Sequence, residues 1–160
     1  ESEPELVKSD SPAWKHKEVN LRAQAFRAEF HYDFTQWKHR RDDDPSVHGY
    51  LFGNDDGAIV GACAFRLRGN VPNQFWGLQW IWICPPARRS GVLTKRWPEF
   101  RRRFGDFFIE PPVSEAMQAF VRRQGDAKLL GGSEDSAEDQ GSTQTGENYD
   151  RKAPDAQEEA

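Results

Sequence analysis

The feature that most constrains this chain is a ten-residue apolar segment, Phe75 to Cys84, rich in tryptophan and isoleucine. Its composition and length predict a central β-strand that is covered on both faces, because a strand with one solvated face alternates apolar and polar residues. Strict alternation divides its side chains into two sets. One face carries Trp76, Leu78, Trp80 and Trp82, and the other carries Gly77, Gln79, Ile81 and Ile83.

A short turn and a helix follow this strand directly. The turn reads Pro-Pro-Ala-Arg-Arg-Ser-Gly over residues 85–91. Apolar residues then recur at spacings of four, three and four, which is typical of one buried helix face: Leu93, Trp97, Phe100 and Phe104. Pro98 conflicts with an unbroken helix, because an interior proline costs about 3 kcal/mol unless the helix kinks or restarts there.

The remaining elements are assigned from apolar spacing and turn residues. The same spacing predicts a helix over residues 13–30, with an apolar face formed by Val19, Ala23, Phe26 and Phe30. A hairpin joins residues 47–52 to residues 58–67 across a turn rich in glycine and aspartate. Residues 106–109 are a short strand, and residues 113–124 are a last helix that Gly125 closes. This order of elements predicts an α/β domain with a mixed sheet.

Charge divides the chain into three parts. Its 160 residues have a formal net charge of −4, but residues 133–160 hold nine acidic against two basic side chains, and residues 11–132 have a net charge of +6. Residues 131–160 are rich in glycine, serine and acids, so we predict a disordered acidic tail. Residues 1–11 are predicted to be a flexible N-terminal segment, which leaves residues 12–130 as the folded domain.

The sequence shows no sign of a membrane, a secretory route or a metal. No run of about 18 apolar residues and no signal-peptide pattern occurs, which predicts a cytoplasmic protein without a membrane partner. Cys63 and Cys84 lie in apolar stretches and are predicted to be buried free thiols. The four histidines lack metal-ligand spacing, so no metal site is predicted.

The turn after the central strand is the strongest candidate for a binding site. A glycine-bearing turn that opens a helix presents unpaired backbone N–H groups and the positive end of the helix dipole, which suit a diphosphate. Arg88 and Arg89 would add charge-assisted hydrogen bonds. The segment lacks the Lys-Ser/Thr pair of a P-loop and the further glycines of a dinucleotide fingerprint. From the residues alone, an anion site and a plain solvated turn both remain open.

These residues resemble the acetyl-CoA motif of the GNAT N-acetyltransferase superfamily, Arg/Gln-x-x-Gly-x-Gly/Ala. Arg88 and Gly91 match the motif, whereas Leu93 stands where the family has a small residue. The predicted hairpin is similar to the strand pair that precedes the motif in that family. Residues 107–114 more weakly resemble a stretch of the sister-chromatid cohesion acetyltransferases. The resemblance covers roughly residues 47–125 and implies an α/β fold with a GNAT-like, mixed and mostly antiparallel sheet flanked by helices. Little after residues 128–130 can form the closing strands of that family, so the predicted sheet lacks them.

The resemblance also implies a reaction and a site. Acetyl-CoA is the implied acyl donor, and a primary amine of a small molecule or a protein lysine is the implied acceptor. The pantetheine arm would lie along the second half of the central strand, and an N–H near Ile83 or Cys84 would polarise the thioester carbonyl. The implied cofactor-binding residues are Ile81, Trp82, Ile83, Cys84, Arg88, Arg89, Ser90, Gly91, Val92 and Leu93.

Three further residues are candidates for the chemistry of transfer. Glu110 ends a strand and aligns with the acid of the cohesion-type stretch, so it is the candidate base, with a plain surface carboxylate as the alternative. Gln79 is the candidate substrate-binding residue, or a hydrogen-bonding residue inside the sheet. Ser114 is the candidate acid for the departing thiolate, with helix N-capping as the alternative.

Two other classes of function compete with an enzyme. The basic side chains between Lys95 and Arg103, with Arg122 and Arg123, suit a nucleic-acid-binding module, but also a solvated helix face or a cofactor 3′-phosphate. A degenerate acyl-CoA-binding or interaction domain is the second competitor. Missing last strands would be compatible with a minimal domain, a homodimer or an inactive relative.

Overall fold

The computed structural model describes residues 5–33, 35–37, 44–111 and 113–131. Strand β1 (Glu5–Val7) and helix α1 (Ala13–Phe30) come first, followed by strands β2 (Val47–Gly53), β3 (Ile59–Arg68) and β4 (Phe75–Ile83). A short 3-10 helix (Pro85–Ala87), helix α2 (Val92–Phe104), strand β5 (Phe108–Ile109) and helices α3 (Glu115–Arg123) and α4 (Lys128–Gly131) follow.

The five strands form one sheet in the order β1-β2-β3-β4-β5. The first four pair antiparallel and β5 runs parallel to β4, which confirms the predicted mixed, mostly antiparallel sheet. One apolar cluster lies between the sheet and α1, and a larger one lies between the sheet and α2, α3 and α4. Strand β4 is therefore covered on both faces, as predicted, although the middle strand of the described sheet is β3 and β4 lies next to it.

Helix α1 and the β2–β3 hairpin form where their patterns predict them. The buried side chains of α1 include Val19, Ala23 and Phe26. In the hairpin turn, the Asn54 side-chain oxygen accepts the N–H groups of Asp56 and Ala58, both at 2.9 Å. Such side-chain contacts with the backbone hold a turn closed.

Strand β1 corrects the prediction of a flexible segment over residues 1–11. Leu6 pairs with Tyr50 and Val7 with Gly49, and the Val7 side chain is fully buried. Three residues are too few for a periodic signal, so only the pairing with β2 reveals this strand. At the other end, residue 131 belongs to α4, and the rest of the tail predicted for residues 131–160 lies outside the described residues.

The single tryptophan face predicted for β4 is wrong, because a β-bulge interrupts the strand. Leu78 lies opposite Phe65 and Trp80 lies opposite Ala64, so Gln79 is an extra residue on β4. A one-residue bulge sends the side chains beyond it to the other face of the sheet. The α1 side therefore receives Trp80 and Trp82, and the opposite side receives Trp76, Leu78, Ile81 and Ile83.

Helix α2 passes through Pro98 without a break, so the predicted conflict does not end the helix. Its side chains Trp97, Phe100 and Phe104 are at most 5% exposed. Burial of each phenylalanine stabilises the helix on the sheet by about 1.5–3 kcal/mol, which offsets the cost of one interior proline, about 3 kcal/mol.

The last elements lie close to their predicted positions. Strand β5 covers two of the four residues predicted, and Phe107 before it is fully buried in the core. Helix α3 begins after Ser114, one to two residues inside the predicted bounds. Helix α4 was not predicted, and it places Leu129 in the core.

Candidate active site

Strands β4 and β5, the last two in the order of the described sheet, diverge beyond Leu78. They pair at only two positions, the last of which joins Leu78 to Ile109. The Glu110 N–H makes the next hydrogen bond, to the Leu78 carbonyl at 3.0 Å. The bulge at Gln79 follows at once, and a bulge bends a strand and disrupts its pairing. Residues 80–83 of β4 therefore have no neighbouring strand on that edge within the described chain.

The open edge of β4 presents backbone groups of Ile81 and Ile83. Cys84 donates its N–H to the Val60 carbonyl at 2.8 Å, so the Cys84 backbone faces β3. Because successive residues of a strand direct their backbone groups to alternate edges, those of Ile81 and Ile83 face away from β3. The Cys84 N–H is thus already bonded, so of the two residues near which a carbonyl-polarising N–H was predicted, only Ile83 presents its N–H at the open edge.

A pocket of about 140 Å³ opens where β4 and β5 diverge. Its walls come from α1, β4, α3 and the segment between β5 and α3. Four of the predicted site residues meet there: Gln79, Ile81, Glu110 and Ser114. Most of the other wall is aromatic or aliphatic, with Phe26, Phe30, Tyr32 and Trp80 on the α1 side. A largely apolar pocket with a few convergent polar groups is typical of a small-ligand site.

The carboxylate of Glu110 is held by Arg68. Arg68 donates from Nε to Oε2 at 2.9 Å and from Nη2 to Oε1 at 3.0 Å, and the Glu110 side chain is 17% exposed. Gly77 makes room for this pair, because a Cβ at that position would clash with the Glu110 carboxylate. An ionised carboxylate offers about four lone-pair positions, so each oxygen keeps one for a further donor. Glu110 therefore lies in the pocket and is not a plain surface carboxylate.

Ser114 and Gln79 reach the same pocket for different structural reasons. The Ser114 Oγ accepts the Met117 N–H at 3.1 Å, which is the N-cap contact expected of serine before a helix. That contact uses a lone pair of the oxygen and leaves the hydroxyl proton for another acceptor. Gln79 lines the pocket as the bulged residue of β4.

The turn between β4 and α2 leaves backbone N–H groups at the start of the helix uncapped. Arg89 (φ 62°) and Gly91 (φ 88°) both have left-handed backbone conformations, and Gly91 is the N-cap of α2 without a side-chain cap. The N–H groups of the first helical turn consequently have no intrahelical partner. Unpaired N–H groups at the start of a helix are the groups to which anions bind. Of the predicted set, Arg89, Ser90 and Gly91 lie on this turn, and Val92 and Leu93 are the first two residues of α2.

Arg88 points from the turn to α1. It donates from Nη1 and Nη2 to the two carboxylate oxygens of Glu29, at 3.1 and 2.7 Å, and from Nε to the Ile83 carbonyl at 2.5 Å. The Trp82 indole N–H also donates to Glu29, at 2.9 Å. The hydrogen bond from Arg88, followed by that from Trp82, holds the pKa of Glu29 below its usual 4.5. Arg88, predicted to bind an anion, is therefore engaged by a carboxylate and by the open edge of β4.

Sequence reasoning missed Glu29 and the aromatic wall of the pocket. Glu29 lies 59 residues from Arg88, and no local spacing links the two. Tyr32 is 8% exposed and lies two residues beyond α1. The pair Phe26 and Phe30 is the signal that could have found this wall, because it ends the apolar face of α1 next to Tyr32.

Most basic side chains of α2 are paired with acids. Arg101 contacts Asp126 and Asp106, and Arg102 and Arg103 both contact Glu99. An ion-paired, solvated helix face, the alternative to a nucleic-acid surface, describes these three arginines.

The described residues contain neither a cluster of metal ligands nor a membrane span. No three potential metal-ligating side chains lie together in that part of the chain. None of its helices is long and apolar enough to cross a membrane. Cys63 and Cys84 are free thiols, but only Cys63 is buried as predicted, and Cys84 is half-buried. Burial raises the pKa of Cys63 well above its usual 9.0. A buried thiol of this kind is a poor nucleophile.

Comparison with protein-family profiles finds a match to this chain. The sequence profile described as "Acetyltransferase (GNAT) family" matches residues 9–95, more than half of the chain. The matched region contains α1, the hairpin, β4 and the turn with Arg88 and Gly91. A search of curated proteins finds no match.

Several solved structures share this fold. The acetyltransferase domain of xEco2, a cohesion acetyltransferase bound to a CoA conjugate, has a TM-score of 0.58 at 14% identity, over 78% of this chain and 87% of that one. An aminoglycoside acetyltransferase from an uncultured soil metagenomic sample, in complex with sisomicin, has a TM-score of 0.56 at 11% identity, over 82% and 90%. An acetyltransferase from Vibrio fischeri has a TM-score of 0.50 at 17% identity, over 66% and 93%. These similarities confirm the predicted fold.

Proposed function

Because this chain belongs to the GNAT acetyltransferase family, we propose that it is an N-acetyltransferase. It would move an acetyl group from acetyl-CoA to a primary amine, of a small molecule or a protein lysine, by direct transfer. One observation carries this proposal. Strands β4 and β5 diverge beside a pocket, and the end of β4 leads directly to the N-terminus of a helix. This arrangement would accommodate an extended acyl-bearing chain, its anionic end and an acceptor.

Acetyl-CoA would lie as an added strand along the open edge of β4. The amides of its pantetheine arm match the backbone groups that Ile81 and Ile83 present there. Its diphosphate would bind the N–H groups from Arg89 to Leu93, where the helix dipole favours negative charge. Trp82 and Cys84 shape this edge through their backbone.

Arg88 would bind the diphosphate only after releasing Glu29. Its guanidinium now contacts Glu29 and the Ile83 carbonyl, which belongs to the edge on which the pantetheine arm would lie. A diphosphate offers a guanidinium more charge and more acceptor oxygens than one partly exposed carboxylate does. Binding of acetyl-CoA would therefore exchange one set of Arg88 contacts for another.

Transfer needs a polarised thioester carbonyl and a neutral amine. The amine nitrogen attacks the carbonyl carbon, the carbon–sulfur bond breaks, and CoA leaves as a thiolate that takes up a proton. Ile81 lines the pocket, and its N–H faces the cleft, so this N–H would donate to the carbonyl oxygen as charge develops there. The Ile83 N–H faces the same edge.

Glu110 is the proposed base. Arg68 fixes the orientation of its carboxylate, and the remaining lone pairs would take a proton from the ammonium form of the acceptor, directly or through water, which leaves a neutral amine to attack the carbonyl carbon. The aromatic wall beside it attracts a cationic amine before that proton is lost. Gln79 would hydrogen-bond the acceptor, and the Ser114 hydroxyl would donate a proton to the departing thiolate.

A catalytically degenerate acyl-CoA-binding domain is the second candidate, and the pairing of Arg68 with Glu110 favours it. An arginine that contacts both carboxylate oxygens makes this carboxylate structural if no amine can compete for them. The pocket and the turn would then bind the thioester without transferring its acyl group.

The test is the release of CoA thiol from acetyl-CoA across a panel of small primary amines and lysine peptides. Amine-dependent release, with an equal amount of acetylated amine formed, supports the proposed enzyme. Acetyl-CoA binding without release by any amine identifies the degenerate domain instead. Absence of both binding and release overturns both candidates.

A further inference from the structure

Four aromatic side chains form one wall of the pocket between β4 and β5. Phe26 lies at their centre. Its ring centroid is 4.9 Å from that of Phe30, 5.1 Å from that of Tyr32 and 5.9 Å from that of Trp80. Phe26, Tyr32 and Trp80 are at most 8% exposed, so packing fixes these three rings. Phe30, the last residue of α1, is only half-buried and is the most accessible ring of the wall.

The volume of the pocket limits the size of the group that this wall can hold. About 140 Å³ is available. An apolar cavity of about 150 Å³ holds one benzene molecule. The wall from β5 and α3 is also largely apolar, with Ile109, Val113 and Met117. One aromatic ring therefore suits the pocket in size, and ring pairs that meet edge to face or offset gain stability beyond the burial of their area.

The charges of the pocket favour a ligand with one cationic centre. Among the described residues that line it, Glu110 is the only acid, and Arg68 already contacts both of its oxygens. Gln79 and Ser114, which also line it, are uncharged. A second ammonium would lose its hydration against apolar walls without a carboxylate to replace it. A cation–π contact with the rings would recover only part of that loss.

We propose that the acceptor is an arylalkylamine, a small molecule in which one or two carbon atoms join an aromatic ring to a single primary amine. The inference rests on the proposed function and narrows its acceptor. The amine lies at Glu110, and the ring packs against the aromatic wall. The short linker follows from the size of the pocket, which Glu110 and the four rings share. Phe30 is then a specificity-determining residue.

The transfer itself keeps the balance of atoms and charges. Glu110 takes one proton from the ammonium and later returns it to solvent. The neutral nitrogen bonds to the acetyl carbon, and the carbon–sulfur bond breaks. The second proton that the nitrogen gives up is balanced by the proton that the CoA thiolate takes up. The products are an N-acetylarylalkylamine and CoA.

The experiment measures kcat/KM for CoA release by the full chain with 2-phenylethylamine, butylamine, 1,4-diaminobutane and a capped peptide that contains one lysine. The first two amines differ by the ring, and 1,4-diaminobutane adds one ammonium to butylamine. For the wild type, 2-phenylethylamine should exceed butylamine and the lysine peptide by about tenfold, because their stems carry no ring. The value for 1,4-diaminobutane should fall below that for butylamine.

Two substitutions of Phe30 test the wall. Phe30→Ala should lower kcat/KM about tenfold for 2-phenylethylamine and less than about threefold for butylamine, and comparison with the wild type cancels the different basicities of the two amines. Phe30→Glu should raise the value for 1,4-diaminobutane about threefold relative to butylamine, because it supplies a partner for the second ammonium. Leu21→Ala is the matched control. Leu21 lies on the same helix, is 47% exposed and does not line the pocket, so every value should stay within about twofold.

The other outcomes are equally decisive. If 1,4-diaminobutane or the lysine peptide matches or exceeds 2-phenylethylamine with the wild type, this inference is overturned while the proposed function stands. The same holds if Phe30→Ala lowers kcat/KM for all amines alike, since the wall then does not select a ring. If the wild type releases CoA with none of the amines, the inference and the proposed function fall together. If Phe30→Ala does not fold, Phe30→Leu, which keeps apolar bulk without a ring, decides by the same comparison.

Discussion

Replacing Glu29 with glutamine is expected to raise the affinity for acetyl-CoA. Glu29 holds Arg88 through hydrogen bonds of 2.7 and 3.1 Å, and Arg88 in turn occupies the Ile83 carbonyl. These contacts must break before Arg88 can reach a diphosphate. Glutamine removes the charge that holds the guanidinium but keeps an oxygen that can accept the Trp82 indole N–H.

The size of the effect follows from the exposure of the ion pair. The side chains of Glu29 and Arg88 are each 37% exposed, so solvent screens their attraction and the pair contributes at most about 1 kcal/mol. Removal of this competing contact should tighten acetyl-CoA binding by up to about fivefold. The gain should shrink at high ionic strength, because salt weakens the competing pair and the new diphosphate contact alike.

Isothermal titration at low and high salt measures this gain. Glu18→Gln is the matched control, because Glu18 lies on the same helix and pairs with Arg22 four residues later; it should change the affinity by less than about twofold. Arg88→Met should weaken binding, and a variant that combines it with Glu29→Gln should show no gain over Arg88→Met alone. A gain that persists without Arg88, or no gain at all, refutes the reasoning.

Two further predictions concern catalysis and acid stability. Glu110→Gln should lower kcat by about 10²–10⁴-fold without changing the dissociation constant of acetyl-CoA, with exposed Glu115→Gln as the control; turnover at the wild-type rate would remove Glu110 as the base. Burial, followed by the charges of Lys8 and Arg103, lowers the pKa of His48 below its usual 6.5, so the unfolded chain binds the proton more readily. The free energy of unfolding should therefore fall as the pH drops below 6.5. Denaturant unfolding should show that this fall is smaller in His48→Phe than in the wild type. Equal falls in both proteins would contradict the assignment of the effect to His48.

Apolar periodicity locates the long elements of this fold. Helix α1, both hairpin strands and β4 lie within one residue of their predicted bounds, because each buries a face that repeats over at least six residues. Strand β1 and helix α4 have three and four residues, too few for a repeat. Their positions depend on tertiary contacts, such as the pairing of Val7 with Gly49.

The two faces of β4 could not be predicted, because a bulge depends on pairing between strands. Gln79 becomes the extra residue only when Phe65 and Ala64 of β3 pair with the residues on either side of it. Strict alternation along β4 predicts that four aromatic and aliphatic side chains share one face of the strand. In the folded chain these four side chains are divided between the two faces. The same bulge ends the pairing of β4 with β5. The feature that makes the alternation pattern fail is therefore also the feature beside which the candidate pocket opens.

The site itself is predicted as a set of residues but not as a set of contacts. The turn with Arg88 and Gly91 is local in sequence, so a motif can find it. Arg68 lies 42 residues from Glu110, and Glu29 lies 59 residues from Arg88, so these partners meet only through the sheet and the packing of α1. Each ion pair engages a charged side chain of the predicted site, so the contacts that this side chain can make with a ligand depend on a partner that the sequence does not reveal.

The central claim is that acetyl-CoA binds along β4 with its diphosphate on the turn before α2. Isothermal titration of the wild type and of Gly91→Glu with acetyl-CoA tests it most directly. Gly91 has a φ of 88° at the N-cap of α2, so glutamate there strains the backbone and adds negative charge where the diphosphate would lie. The wild type should bind one acetyl-CoA per chain, and Gly91→Glu should bind at least about tenfold more weakly. No binding by the wild type at high-micromolar ligand, or equal binding by Gly91→Glu, would contradict the claim.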